Sequence, residues 1–289
     1  MKKPYIMLLS LGLLLSACGQ SAGADTLSPA KQNSIETSPS AEPAPEDAPA
    51  EQTNSDPADE PVNEPEQEEP AETAAVPLLY RMSDNFIIKP IEESTSSKVV
   101  LLTFDDGPKN TEVLTSLLDT LDKHNAKAIF FVNGYRVKQH PELLTLIRDR
   151  KQFIGNHSWD HINLKQSTDE QIDAQIGDVQ NIVEKLTGER PRFFRPPFGA
   201  GNDYVRQKAA EEKMLYMTWS NGSQDWVKGY DKPDKVIDSV LEQLHPGSNI
   251  LMHELPWTAE ALDALLTRLE DKGYGFVDPA SIDTGYSIN

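Results

Sequence analysis

From residue 98 onward, short apolar runs alternate with longer segments whose apolar positions recur at helical spacing. The runs VVLLTF (99–104), AIFFVN (128–133), QFIGN (152–156), RFFR (192–195), LYMTWS (215–220), NILMH (249–253) and YGFV (274–277) predict seven strands. Between them, Val113, Leu117, Leu118 and Leu121 mark one face of a helix from Asn110 to about Lys123, and Pro141 fits the first turn of another. Ser167, three residues before Glu170, predicts a capping box for a helix to about Leu186, with Gly188 past its end. Strands that alternate with helices run parallel, and continuous apolar strands are buried on both faces. The pattern therefore predicts an α/β fold: an irregular (β/α)7-type barrel first, and an open doubly wound sheet as the alternative.

The pattern before residue 98 is different. Residues 1–17 join a positive start, Lys2 and Lys3, to an apolar stretch from Ile6 to Leu15 that is too short to span a membrane. It ends in LSAC, which resembles a bacterial lipoprotein signal whose cleavage leaves Cys18 as the acylated first residue; the alternative is a chance cysteine beside an ordinary cleavage site. Cys18 is the only cysteine, which excludes an intrachain disulfide. Lipidation accounts for the lone thiol and predicts an exported protein anchored to the outer face of the cell membrane, since two or more acyl chains hold stably.

Residues 18–77 are rich in Pro, Ala, Glu, Ser and Thr and poor in large apolar residues, a composition that predicts a disordered acidic linker. Residues 78–97 are expected to form a connecting segment, 98–280 the folded domain that carries the candidate chemistry below, and 281–289 a C-terminal tail. Most of the formal net charge of -19 belongs to the linker. The folded part, still acidic, lacks the basic balance that phosphate contacts require, so no nucleic-acid partner is expected. The protein is expected to act as a monomer.

Candidate chemistry clusters at the strand ends. TFDDGP (103–108) sets Asp105 and Asp106 side by side at the end of the first run. Adjacent strand residues point to opposite faces, so the two can share a site only where the strand has ended, and Gly107 and Pro108 end it there. Adjacent carboxylates repel, which calls for a metal ion, an arginine or both beside them; a turn or helix-capping pair is the bland alternative. HSWDH (157–161) places His157 and His161 four apart, on one side if they share a helical turn, as suits one metal ion. In RPPFG (195–199), Arg195 is the counter-charge for one aspartate, with a bidentate geometry available. Asp225 and Trp226 in SQDW, and Leu251 and His253 in LMH, close the set. In a parallel barrel the C-terminal strand ends share one face, where catalysis is expected.

These five motifs, in this order, resemble the polysaccharide deacetylases of carbohydrate esterase family four, which share the NodB-type homology domain, over roughly Lys98 to Asp278. The resemblance implies that Asp106, His157 and His161 hold one divalent metal, Zn2+ first, with Co2+, Ni2+ or Mn2+ as alternatives. It also implies Asp105 as general base oriented by Arg195, the Phe198 N–H as an oxyanion donor, and His253 as general acid paired with Asp225. Trp219, Trp226 and Leu251 either line the acetyl or sugar pocket or pack as ordinary core. Glu254 and Trp257 follow His253 closely enough to form a groove wall. Many relatives carry an aspartate where this chain has Gly222, so the resemblance does not carry their substrate preference over to it. The remaining histidines, His124, His140 and His245, carry no expected catalytic role.

The expected activity is hydrolysis of the N-acetyl group of amino sugars in an extracellular or cell-wall polysaccharide, with peptidoglycan N-acetylglucosamine first. N-acetylmuramic acid, chitin-like oligomers and an exopolysaccharide follow. A catalytically silent carbohydrate-binding protein and a metal-dependent amidase of a small acylated amine are the competing readings.

Overall fold

The computed structural model describes residues 76–286 of the 289-residue chain. The predicted signal segment, Cys18 and nearly all of the linker lie outside those residues. In chain order the strands are β1 (Tyr80–Met82), β2 (Ile88–Pro90), β3 (Val99–Gly107), β4 (Ala128–Val132), β5 (Phe153–Asn156), β6 (Phe193–Phe194), β7 (Leu215–Tyr216), β8 (Asn221–Gly222), β9 (Ser248–His253), β10 (Gly275–Phe276) and β11 (Ile282–Asp283). The helices are α1 (Thr111–Lys123), α2 (Gly134–Gln139), α3 (Pro141–Asp149), α4 (Asp169–Thr187), α5 (Asp203–Glu211), α6 (Pro233–Glu242) and α7 (Pro256–Asp271). No helix among the described residues is long and apolar enough to cross a membrane.

The parallel sheet runs β7-β6-β5-β4-β3-β9-β8, with β10 paired to the first residues of β3. Its end strands do not pair with each other, so the (β/α)7-type barrel is open and irregular. All seven predicted strands are present, although those around 193, 215 and 275 shrink to two residues each. The core explains the continuous apolar runs. Val100, Leu102, Phe104 and Phe130 pack with α1 and α7, while Leu101, Ile129 and Phe131 face the other side. On α1 the buried stripe is Leu114, Leu117, Leu118 and Leu121, with the predicted Val113 only half-buried at its margin.

Four local differences from the sequence reading have clear causes. The α4 capping box lies one residue later than predicted: Thr168 caps the Gln171 N–H and the Gln171 side chain returns to the Thr168 amide, so Ser167 and Glu170 stand aside. Residues 78–97 form the β1–β2 hairpin, and Ile282–Asp283 of the predicted tail pairs in parallel with β1, closing a separate three-stranded sheet. The SQDW motif follows a further strand, β8, which the chain reaches two residues before Ser223. Finally, β3 does not stop before its aspartates but continues to Gly107 with a register shift between Asp105 and Gly107.

Candidate active site

That register shift answers how two neighbouring carboxylates reach one site. Asp106 has a φ of 67°, in the left-handed region, and opposes no residue of β4. A bulge of this kind re-aims a side chain that a regular strand would send to the opposite face. Both carboxylates consequently stand at the C-terminal end of the sheet, where β4, β5, β6 and β9 also end.

His157 and His161 arrive on irregular chain, so the shared helical turn that their spacing would suit does not form. Ser158 and His161 have φ values of 66° and 56°, and these left-handed residues wind the segment so that both imidazoles converge. Asn133 holds the segment by donating to the His157 carbonyl at 2.8 Å, and the Gly134 N–H donates to Ser158 O. Gly134 has no alternative, because a Cβ there would lie 2.1 Å from the Trp159 ring.

One ligand atom from each of Asp106, His157 and His161 lies within 4.8 Å of the other two. Asp106 Oδ1 is 3.1 Å from His161 Nε2 and 3.5 Å from His157 Nε2, and His157 Nε2 is 3.6 Å from Asp105 Oδ2. His157 Nδ1 is 2.6 Å from the Arg195 carbonyl, which accepts hydrogen bonds only, so Nδ1 carries the proton. Whenever His157 is neutral, this leaves its Nε2 lone pair facing two carboxylates. Asp106 Oδ1 is itself buried with no hydrogen bond. Lone pair against carboxylate is a donor set for a cation, and the residues fit a divalent metal of the zinc type. Burial pulls the Asp106 carboxyl up, but His157 and His161 outweigh it and hold the group well below the usual carboxylate range.

Asp105 lies behind this trio and is held differently. Arg195, fully buried, donates from one terminal nitrogen to Asp105 Oδ1 at 2.6 Å and to Thr103 Oγ1 at 2.8 Å. Its other terminal nitrogen donates to the Thr218 carbonyl and to Asn249 Oδ1. The fork is thus shared among four acceptors, and the bidentate pairing that the sequence allowed does not form. The guanidinium also lies over the Phe131 ring at 4.3 Å. Burial lowers the Arg195 pKa while Asp105 opposes that shift.

On the other side of β3, His253 is the register partner of Asp105 on β9. Asp225 Oδ1 meets His253 Nδ1 at 2.7 Å, while Oδ2 accepts from the His253 amide and from Thr258 Oγ1, both at 2.7 Å. Burial alone would lower the His253 pKa, but the Asp225 hydrogen bond and charge, aided by Asp105 and Asp106, carry it above its ordinary value. Asp225 fixes the ring through Nδ1, leaving Nε2 for a substrate.

Aromatic rings flank these groups. Phe198, φ 60° and largely exposed, sets its ring against His161 at 4.7 Å between centroids. Trp226, half-exposed, stands 5.1 Å from the His253 ring and 6.4 Å from Trp219. Leu251 is buried in β9. Trp257 donates to the Asp225 carbonyl, and Glu254 is buried, so of the two residues placed in a groove wall Glu254 is not at the surface. A Cβ at Gly222 would sit 3.5 Å from Trp226 and 3.7 Å from Trp219, ordinary contact distances, so the backbone there admits a side chain. His140 and His245 take no part in the cluster. His124 bridges Asp263 and Glu270, joining α1 to α7.

Thr103, Asn249, Thr258 and Glu254 were not singled out as partners of the charged groups. Only their placement across strands reveals them; no local motif marks a threonine or asparagine as the acceptor for a distant arginine.

The chain matches known proteins over the same region. A family profile described as polysaccharide deacetylase matches residues 92–228. The peptidoglycan-N-acetylglucosamine deacetylase PgdA of Listeria monocytogenes is 37% identical over 191 residues, covering 66% of this chain and 40% of that protein. The peptidoglycan-N-acetylmuramic acid deacetylase PdaA of Bacillus subtilis is 36% identical over 186 residues, covering 63% of this chain and 70% of that protein. A solved structure of wild-type BA3943 from Bacillus anthracis, described as a CE4 family pseudoenzyme, is 34% identical with a TM-score of 0.59, over 62% of this chain and 63% of that one. The chain thus spans about two fifths of PgdA and more than two thirds of PdaA. On these likenesses, the chain belongs to the polysaccharide deacetylase family.

Proposed function

We propose that this protein is a metal-dependent hydrolase that removes the acetyl group from N-acetylated amino sugars of peptidoglycan, releasing acetate. One observation carries the reading: the Nε2 of His157, whose ring is anchored through Nδ1, and the Asp106 Oδ1, which makes no hydrogen bond, converge with His161 beside the arginine-held Asp105. Asp106, His157 and His161 would hold the ion, Zn2+ by preference and Co2+, Ni2+ or Mn2+ otherwise. Such an ion, when bound, supplies an acidified water and polarises the amide carbonyl.

The protein groups divide the proton work. Asp105 takes the proton from the attacking water, and the buried Arg195 pairs with its carboxylate and aims it. Water adds to the acetyl carbon, and the backbone N–H of Phe198 is the proposed donor to the oxyanion that develops. His253, held by Asp225, gives its proton to the sugar nitrogen as the C–N bond breaks, leaving a free amine and acetate. Phe198 and Trp226 offer apolar surfaces on either side of the centre for a sugar ring, with Trp219 behind Trp226.

N-acetylglucosamine is the sugar proposed first, with N-acetylmuramic acid the alternative that the PdaA likeness supports. The lipoprotein-type signal at Cys18 and the long linker suit a protein anchored on the outer face of the membrane and reaching into the wall. The pseudoenzyme likeness favours a second reading, a silent carbohydrate-binding protein, but all of Asp105, Asp106, His157, His161, Arg195, Asp225 and His253 are in place. The test is acetate release by the purified protein from N-acetylglucosamine oligomers and from purified peptidoglycan, with and without chelator and added zinc. Chelator-sensitive release with new free glucosamine supports the reading, and free muramic acid moves it to the alternative sugar. Zinc binding with no acetate from either polymer overturns it.

A further inference from the structure

Glu254 adjoins His253 at the end of β9, yet the chemistry above gives it nothing to do. Its side chain, 3% exposed as a residue, crosses from β9 to the turn that follows the two aspartates. There Oε1 accepts from the Lys109 amide at 2.7 Å and from the Asn110 amide at 2.8 Å. Asn110 in turn caps α1 by accepting from the Val113 amide. Oε2 makes no hydrogen bond and lies against Gly107, where a Cβ would come within 2.6 Å of it. One buried carboxylate therefore holds the turn by hydrogen bonds just after Pro108, and the missing side chain at Gly107 is what lets it approach.

The residue that depends on this turn is Asp106. Its left-handed backbone costs about 1–2 kcal/mol for a residue with a Cβ and persists only where the surroundings hold it. The clamped Lys109 also extends its ammonium to 3.8 Å from Asp106 Oδ2, the oxygen opposite the one that faces the histidines. Thus the two oxygens of Asp106 have separate neighbours, and one of them is the lysine whose backbone amide Glu254 holds.

We propose that Glu254 is a positioning residue of the metal centre: by clamping the 107–110 turn it holds Asp106 so that Oδ1 converges with the Nε2 atoms of His157 and His161. The inference rests on the metal reading of that trio. Partners that orient metal ligands contribute about 10–100-fold in affinity when removed. A purely structural staple between β9 and β3 would instead lower Tm without changing affinity for metal.

The experiment measures the zinc dissociation constant of the full protein by competition with a chelating dye, together with Tm, for wild type, Glu254→Ala, Glu254→Asp and Glu254→Gln. Removing the carboxylate in Glu254→Ala should weaken zinc binding about 10-fold or more. The shorter Glu254→Asp should weaken it to a lesser degree, and Glu254→Gln, which keeps a carbonyl oxygen for the two amides, should bind like wild type. Activity of Glu254→Ala should return at saturating zinc. Wild-type affinity in folded Glu254→Ala overturns the inference, as does a Glu254→Gln variant as weak as Glu254→Ala. If Glu254→Ala does not fold, wild-type affinity in Glu254→Asp overturns it equally. Failure of the wild-type protein to bind zinc would remove the metal reading and this inference together.

Discussion

The two ends of β3 meet opposite requirements. Toward its start, Val99 and Leu101 join Ile129, Phe131, Phe193 and Met217, and the small β1–β2–β11 sheet covers them with Tyr80, Ile88 and Ile282. Toward its finish, Asp105, His157, Arg195, Asp225 and Glu254 are just as thoroughly buried, but every one is polar. Apolar burial needs only matching shape, at roughly 25 cal/mol per Å² removed from water. A buried charge needs a partner for nearly each polar atom, because leaving one without costs several kcal/mol. Phe131 marks the boundary, packing in the apolar cluster while its ring lies under the Arg195 guanidinium. One strand thereby carries stability at one end and chemistry at the other.

The sharpest way to break that contrast is to disable the polar end without unfolding it. Asp105→Asn should keep the zinc and the fold yet reduce kcat/KM by about 10²–10⁴-fold, the usual contribution of a general base. Acetate release and metal stoichiometry measured on one preparation would decide; loss of zinc in this variant, with normal zinc in Asp106→Asn, would reverse the two aspartate roles.

A second comparison sets one residue from each end side by side. Arg195→Met strands the Asp105 carboxylate and should destabilise the protein by about 3–5 kcal/mol, while Leu101→Ala opens a cavity worth about 2–5 kcal/mol. Denaturant unfolding should therefore show losses of similar size. Only Arg195→Met should lower kcat at temperatures where both variants are folded, and a kcat loss of equal size in Leu101→Ala would erase the distinction between the ends.

The smallest effect expected is a displacement of a pH profile. In the proposed mechanism His253 acts protonated, and its pKa lies above the ordinary 6.5, so activity should fall as pH rises through that raised value. In Asp225→Asn, which removes the hydrogen bond and charge that oppose the burial of His253, this basic limb should move to lower pH. The same linkage acts on stability: the ion pair contributes fully below about 6.5, the unfolded value, and its contribution is lost as pH rises through the folded one. An unmoved basic limb in the variant would detach it from His253.

Much of this is legible in the sequence alone, and the reason is range. The apolar runs, the α1 stripe and the five motifs are patterns within a few residues, and local sequence suffices to show a strand, a helix or a charged turn. The errors were of the same short range: the α4 cap slipped by one because Thr168 and Gln171 present the same chemistry as Ser167 and Glu170. The spacing of His157 and His161 suits a helical turn, and spacing does not reveal that Ser158 and His161 are left-handed instead.

By itself, then, the sequence determined the alternation of strands and helices, the residue types at the strand ends and the acidic segment ahead of the folded part. The tertiary structure alone decided that Asp106 turns out of the strand at a bulge, that Arg195 divides its donors among four acceptors, and that β11 returns to pair with β1. It also decided that Glu254 reaches Lys109 across 145 positions of chain. Such contacts depend on which strands become neighbours and in what register, and that follows from packing the whole core, a property no short window of residues contains.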